Sequence, residues 1–268
     1  MIGQKRLLEK LNKINSLDDL SKSIIVWGAK GIGKHTFAKE VSKKFNIEQE
    51  IIDYELSMDI LNDMYALSVP KFYLIDFDEI SKHKRVERFQ NTILKFIEEP
   101  PRFAWIIIIV TDLPMMLETI KNRCQIYSFD NYTIEELRLI ASNNGKEYDD
   151  RMLLLLHTPG NIITKDVSQV NELINLGDMI VNNAGKATPA NILTLNNKFF
   201  SENPYDLDLF IWLFYDVLFG YYESSDYDRK YYDAIILTKE LEYKLRIMNV
   251  NKSMLFDNYI LRLKECLK

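Results

Sequence analysis

The residues best able to do chemistry lie together in "WGAKGIGKHTFA", Trp27 to Ala38. Gly28, Gly31, Gly33 and Lys34 fit the pattern G-x-x-x-x-G-K-[ST]. In that pattern backbone N–H groups and a helix N-terminus cradle an anion while the lysine reaches the outer phosphates. The pattern next asks for a hydroxyl, because that oxygen ligates the magnesium ion carried by a nucleotide. This chain has His35 there, and the hydroxyl of Thr36 comes one residue later, turned by roughly 100° around a helix. The matching metal-binding acid should close an apolar strand, and "FYLID" supplies Asp76. A glutamate directly after that acid would activate the attacking water, but the position holds Phe77. Asp78 and Glu79 offer a rival register, as metal ligand and base. That register strands Asp76 as a buried carboxylate without a stated partner, at a cost of roughly several kcal/mol, so the Asp76 register is preferred.

A phosphate loop needs a buried strand before it and a helix after it. "SIIVWG" (23–28) and "KHTFAKEVSKKF" (34–45) supply both. Further strands are expected at "EIIDY" (50–54), "KFYLID" (71–76), "AWIIIIVT" (104–111) and "QIYSF" (125–129), with helices near 57–67 and 86–98 between them. Pro100 and Pro101 stop the second of these helices. Alternating strands and helices predict an α/β fold with a five-stranded, mostly parallel sheet. After Asp130 the periodicity is helical throughout. "NNAGKATPAN" (182–191) reads as a linker, giving three domains: 1–130, 131–185 and 190–268.

With 268 residues, 47% hydrophobic and 27% charged, the chain can bury a substantial core. A net charge of −5 argues against a surface coated in DNA-binding charge and leaves room only for a local basic patch. Cys124 and Cys266 are far apart, and the histidines at 35, 83 and 157 are scattered, so no zinc site is expected; reduced thiols and a cytoplasmic setting are. "MIGQKRLLEKLNKIN" mixes polar and apolar residues at helical spacing, unlike a secretory leader. No run approaches membrane-spanning length.

Four stretches occur in order: "MIGQ" at the start, "GAKGIGKHT", "FQNTILKFIEEPP" (89–101) and "IKNRCQ" (120–125). On these the chain resembles the bacterial clamp-loader subunits of the AAA+ superfamily, and among them the delta-prime form of DNA polymerase III. The third and fourth stretches carry most of the specificity, being similar to the family's QNALLKTLEEPP and SRC motifs. The resemblance implies an AAA+ P-loop domain, a small helical lid and an all-helical collar. It implies that Arg123, the arginine of the SRC-like motif, reaches in trans into a neighbour's nucleotide site, although Asn122 replaces the preceding serine. ATP is the ligand the loop would take, with magnesium only alongside it. The implied partners are gamma/tau-like and delta-like subunits in a hetero-oligomer, the sliding clamp and primed DNA, with no membrane.

Against that family, His35, Phe77 and Asp112 (where a sensor asparagine is common) depart from the motor pattern. "HTPGN" (157–161) lacks the second sensor's arginine, and the family's four-cysteine zinc module is missing. The expectation is a non-motor subunit with a degenerate pocket. An ATP-hydrolysing clamp-loader subunit is the runner-up, and an unrelated P-loop phosphotransferase the third reading. "KHKRVER" (82–88) is a candidate DNA-backbone contact or a solvated loop. In the 89–99 helix, Phe89, Ile93 and Phe96 or Ile97 read as core rather than interface. The aromatic-rich stretch 207–222 fits either a buried helix or a subunit contact.

Overall fold

The computed structural model describes all residues except 53–57, 83–85, 187, 202–203 and 248–250. They form two compact units, Met1–Thr164 and Lys165–Lys268. This division falls inside the 131–185 segment.

In the first unit the elements run α1 (Lys5–Asn12), β1 (Ser23–Trp27), α2 (Lys34–Phe45), β2 (Gln49–Ile52), α3 (Met58–Ala66), β3 (Lys71–Asp76), α4 (Phe77–Lys82), α5 (Val86–Glu98), β4 (Ala104–Val110), α6 (Glu118–Lys121) and β5 (Gln125–Ser128). The strand order is β2-β3-β4-β1-β5, and every pairing is parallel. Parallel strands need crossovers, which lay helices on both faces and bury the strands completely. Hence β4 reads as an unbroken apolar run and is buried at all seven positions.

The two-residue period of a strand sends alternate side chains to opposite faces. Ile25, Tyr73, Ile75, Ile106 and Ile108 join Leu61 and Met64 of α3 and Phe89, Ile93 and Phe96 of α5 on one side. Ile24, Val26, Phe72, Leu74, Trp105 and Ile107 join Leu7 and Leu11 of α1 and Phe37 and Val41 of α2 on the other. Full burial of each such side chain contributes about 1.5–3 kcal/mol. The strand and helix assignments made from sequence hold with ends shifted by a residue or two. Residues 53–54 of the second strand assignment lie outside the described residues. Helix α4 was not anticipated.

Three short helices complete this unit: α7 (Ile134–Asn143), α8 (Asp150–Leu156) and α9 (Pro159–Thr164). Their starts follow side-chain chemistry. Thr133 Oγ1 accepts from Glu136 N at 3.2 Å while the Glu136 carboxylate accepts from Thr133 N at 3.0 Å, a reciprocal cap. Asp149 caps α8 through Met152 N at 2.7 Å.

The second unit is helical: α10 (Val167–Asn183), α11 (Pro189–Phe200), α12 (Leu207–Ser224), α13 (Arg229–Ile247) and α14 (Lys252–Cys266). The expected linker, 182–191, takes in the end of α10, a short helical turn at Ala184–Lys186 and the start of α11. Gly177 of α10 lets α12 approach closely: a Cβ there would sit 3.0 Å from the Phe214 ring. Leu209, Phe210, Leu213, Phe214, Val217 and Leu218 of α12 are buried, whereas Trp212 and Phe219 are exposed. No described helix is long and apolar enough to cross a membrane.

Candidate functional site

The carboxyl ends of β1, β3 and β4 open on one edge of the sheet, where ligands of parallel α/β folds gather. The loop leaving β1 needs left-handed backbone at Gly31 (φ +77°) and Gly33 (φ +108°), which only glycine adopts without strain. Gly33 then begins α2, and Lys34 is its first residue.

Lys34 is 6% exposed and points into the protein. Its Nζ donates to Gly28 O at 2.7 Å, Ala29 O at 3.2 Å and Thr111 Oγ1 at 2.7 Å. An ammonium has three protons, so all of them are engaged. Burial lowers the Lys34 pKa, opposed by Asp78, whose Oδ2 lies 3.8 Å away, and by Asp76. Thr111 ties the cluster together: its N–H donates to Asp78 Oδ1 at 2.8 Å and its hydroxyl to Asp78 Oδ2 at 2.5 Å. Trp27 Nε1 in turn donates to Thr111 O at 3.1 Å.

The next residue, His35, turns the other way. Its Nε2 is 3.1 Å from Asp76 Oδ2, and Asp76 Oδ1 accepts from Glu79 N at 3.1 Å. Burial pushes the Asp76 carboxyl up; the His35 and Glu79 hydrogen bonds, with Lys34 nearby, more than reverse this and leave it below the ordinary carboxylate range. Thr36 is exposed on α2, and among the described residues its hydroxyl has no hydrogen-bond partner.

The loop is covered from above by the turn between α8 and α9. Gly160 N donates to Gly31 O at 2.8 Å, and a Cβ on Gly160 would lie 2.6 Å from Gly31 Cα. Thr158 beside it is 1% exposed. From the side, Tyr132 Oη donates to Ile32 O at 3.1 Å. The "MIGQ" stretch fastens the same corner, since the buried Gln4 side chain donates to Asp130 O at 2.6 Å and accepts from Asp130 N at 2.9 Å.

A phosphate would have to displace a protein oxygen from Lys34, and an imidazole bonded to Asp76 stands where a hydroxyl and metal would meet. Among the described residues no group of three or more His, Cys, Asp or Glu could hold a metal ion.

Arg123 lies elsewhere, just past α6, with its side chain 47% exposed. Nη1 donates to Thr119 O at 3.0 Å, and Nη2 is 3.8 Å from Glu98 Oε1 on α5. Buried Gln90 of α5 fixes the approach to α6, with Oε1 accepting from Leu117 N at 2.6 Å and Nε2 donating to Met115 O at 3.4 Å. Both ends of the "FQNTILKFIEEPP" stretch thus hold the segment carrying Arg123. The adjacent Cys124 thiol is pushed up to about 12 by burial, which makes it unreactive. Within "KHKRVER", residues 83–85 lie outside the described residues.

Sequence reasoning placed Gly28, Gly31, Gly33, Lys34, His35, Thr36 and Asp76 in one site; in the structure Lys34, His35 and Asp76 meet there with Asp78, whereas the Thr36 side chain is exposed. It missed Thr111, whose only signal was a hydroxyl directly after the apolar run of β4, and it gave Gln90 no role.

A parallel sheet in the order β2-β3-β4-β1-β5, with a glycine loop after β1 and a helical lid seated on that loop, defines an AAA+ P-loop domain. Residues 56–133 match the family "DNA polymerase III, delta subunit". The chain is 25% identical to the DNA polymerase III subunit gamma of Buchnera aphidicola (subsp. Schizaphis graminum), over 74% of this chain and 63% of that protein. It is 24% identical to the DNA polymerase III subunit tau of Escherichia coli K12, over 66% of this chain and 33% of that protein. The chain thus spans less than two thirds of these relatives. Among solved structures it is similar to the RuvB Holliday junction branch migration motor of Thermotoga maritima: 18% identity, TM-score 0.43, covering 95% of this chain and 80% of that one. At that distance the likeness says nothing about chemistry. The chain is thus similar, at this distance, to subunits of DNA polymerase III.

Proposed function

We propose that this chain is a non-motor, delta-prime-like subunit of a replication clamp loader. It donates Arg123 to the ATP site of an adjoining subunit and helps that assembly place a sliding clamp on primed DNA. The observation that supports this best is the internal commitment of its own loop: Lys34 to three protein oxygens and His35 to Asp76. A pocket wired in this way is degenerate for hydrolysis, and loss of a general base alone costs about a hundredfold to ten-thousandfold in rate. Arg123, by contrast, is half-exposed and held only by surface contacts, which cost little to release.

The likeness to relatives named gamma and tau favours a second reading, an ATP-hydrolysing subunit with Asp78 and Glu79 as metal ligand and base. It would require Asp78 to leave Thr111, to which both of its oxygens are bonded. Magnesium-dependent ATP turnover separates the two. The non-motor reading expects none above background from the purified chain, and increased turnover when the chain joins gamma-type subunits; turnover by the chain alone that disappears in Lys34→Ala would establish the motor reading instead.

A further inference from the structure

The turn between α12 and α13 gathers aromatic rings that the fold leaves uncovered. Its sequence, "FGYYESSDYDRKYY" (219–232), supplies Phe219, Tyr222, Tyr227 and Tyr232. Tyr222 is the hub: its ring centroid lies 5.2 Å from that of Tyr227, 6.2 Å from Tyr232 and 6.2 Å from Phe219. Tyr222 is half-buried, Phe219 and Tyr232 are exposed, and Tyr227 is 63% exposed. Among the described residues the hydroxyls of Tyr222, Tyr227 and Tyr232 have no hydrogen-bond partner. The neighbouring tyrosines are used by the fold: Tyr221 and Tyr231 pack on each other at 5.6 Å, and Tyr221 Oη accepts from Asn182 Nδ2 at 2.7 Å.

Tyr227 is held there against its backbone preference. Asp226 (φ +57°) and Tyr227 (φ +64°) both adopt left-handed backbone, which is unfavourable for a residue with a Cβ. Tyr227 N donates to Tyr222 O at 2.9 Å, and Ser225 Oγ donates to the same oxygen at 3.0 Å while accepting from Asp228 N at 3.2 Å. An aromatic side chain left in water returns little burial for that strain. From Leu207 to Asp233 the chain has six acids against two cations. Both cations are engaged, Arg229 with Asp233 at 3.7 Å and Lys230 with Asp228 at 3.6 Å, and Lys230 lies over the Tyr231 ring. Exposed Glu223 and Asp226, next in sequence to Tyr222 and Tyr227, make no side-chain hydrogen bond or ion pair among the described residues.

We propose that this turn binds an arginine-rich segment of a partner polypeptide. The face of an aromatic ring attracts cations, guanidinium most often, and the long stem of an arginine covers apolar surface while its head stays charged. Glu223 and Asp226 supply the counter-charge that the chain itself leaves unmatched. The same carboxylates repel the phosphates of nucleic acid and of anionic lipid. An apolar helix laid across the rings would bury them unpaired, at a desolvation cost. The site shares no residue with the glycine loop and does not involve Arg123.

The test uses the full chain and a dye-labelled hexa-arginine peptide, read by fluorescence anisotropy. Tyr227→Ala should weaken binding about fivefold or more with unchanged circular dichroism, and Tyr227→Phe, which keeps the ring, should match the unaltered chain. Glu223→Gln with Asp226→Asn should weaken binding about twofold to tenfold. Glu9→Gln with Asp63→Asn, the same change in net charge at exposed positions of α1 and α3, should leave it unchanged. Equal losses in the two double variants would show attraction to net charge alone and overturn the proposal. No binding at low salt, unchanged affinity in Tyr227→Ala, or a loss in Tyr227→Phe equal to that in Tyr227→Ala would overturn it too. So would self-association of the chain that Tyr227→Ala abolishes, since a second copy would then occupy the turn. All of these readings are taken without ATP or partner subunits, so they leave the clamp-loader reading untouched.

Discussion

His35 Nε2 stands 3.1 Å from Asp76 Oδ2, so the residue that stands where the phosphate-loop pattern asks for a hydroxyl is bonded directly to the acid that closes β3. The substitution at position 35 therefore does more than delete a hydroxyl. It supplies a hydrogen-bond partner for a largely buried carboxylate, which would otherwise carry a desolvation cost.

The Asp76 carboxyl is held below the ordinary range in the folded chain. A group whose folded pKa is depressed stabilises the fold while it is ionised, and that stabilisation fades as pH falls through the folded value. Urea unfolding of the natural chain and Asp76→Asn across pH should therefore differ fully at neutral pH and converge on acidification below the usual carboxylate range. His35→Ala should lose about 1 kcal/mol at neutral pH, with the same convergence at low pH.

Lys34 is a structural residue in the absence of nucleotide. Lys34→Met should destabilise the nucleotide-free chain by about 1–3 kcal/mol, because it leaves the Thr111–Asp78 pair without its cation and two loop carbonyls without a donor. A lysine poised only for phosphate would be neutral in the same denaturation experiment.

Gly160 tests how tightly the lid turn sits on the loop. Gly160→Ala places a Cβ 2.6 Å from Gly31 Cα, where backbone faces backbone and cannot yield cheaply. Thermal unfolding should show a loss of about 1–3 kcal/mol, and hydrogen exchange at the 160 amide should accelerate. Gly220→Ala in α12, which meets nothing within 4 Å, should instead stabilise by about 0.5–1 kcal/mol.

The fold was largely legible because fully buried parallel strands announce themselves as apolar runs; "AWIIIIV" admits few other readings. The glycine loop was legible for a related reason, since backbone at positive φ forces glycine into the sequence. Long-range polar pairings leave no such trace. Nothing in the spacing of Lys34, Asp78 and Thr111 says that they converge, nor that Gly160 would find Gly31 129 positions away. Position 35 was read as a lost metal ligand, and its bond to Asp76 needed coordinates to appear. α4 escaped notice because "FDEISK" is too short to display a helical period.

Gln90 should act on Arg123 through the backbone of 115–117. Gln90→Leu removes the acceptor for Leu117 N and should cost about 1–2 kcal/mol; in a mixed assembly it should also reduce stimulation of the neighbours' turnover. Gln90→Glu keeps an acceptor oxygen and should restore that stimulation. Loss of stimulation in both variants with assembly intact would argue that Gln90 does not work through that hydrogen bond.

The most direct test of the central claim is ATP turnover by gamma-type motor subunits assembled with this chain, comparing Arg123 with Arg123→Ala at equal assembly measured by sizing. An arginine acting in trans is worth about a thousandfold or more at the site it serves. The account predicts that Arg123→Ala abolishes the share of turnover that depends on this chain while the complex stays intact. Unchanged turnover in an intact complex would contradict it.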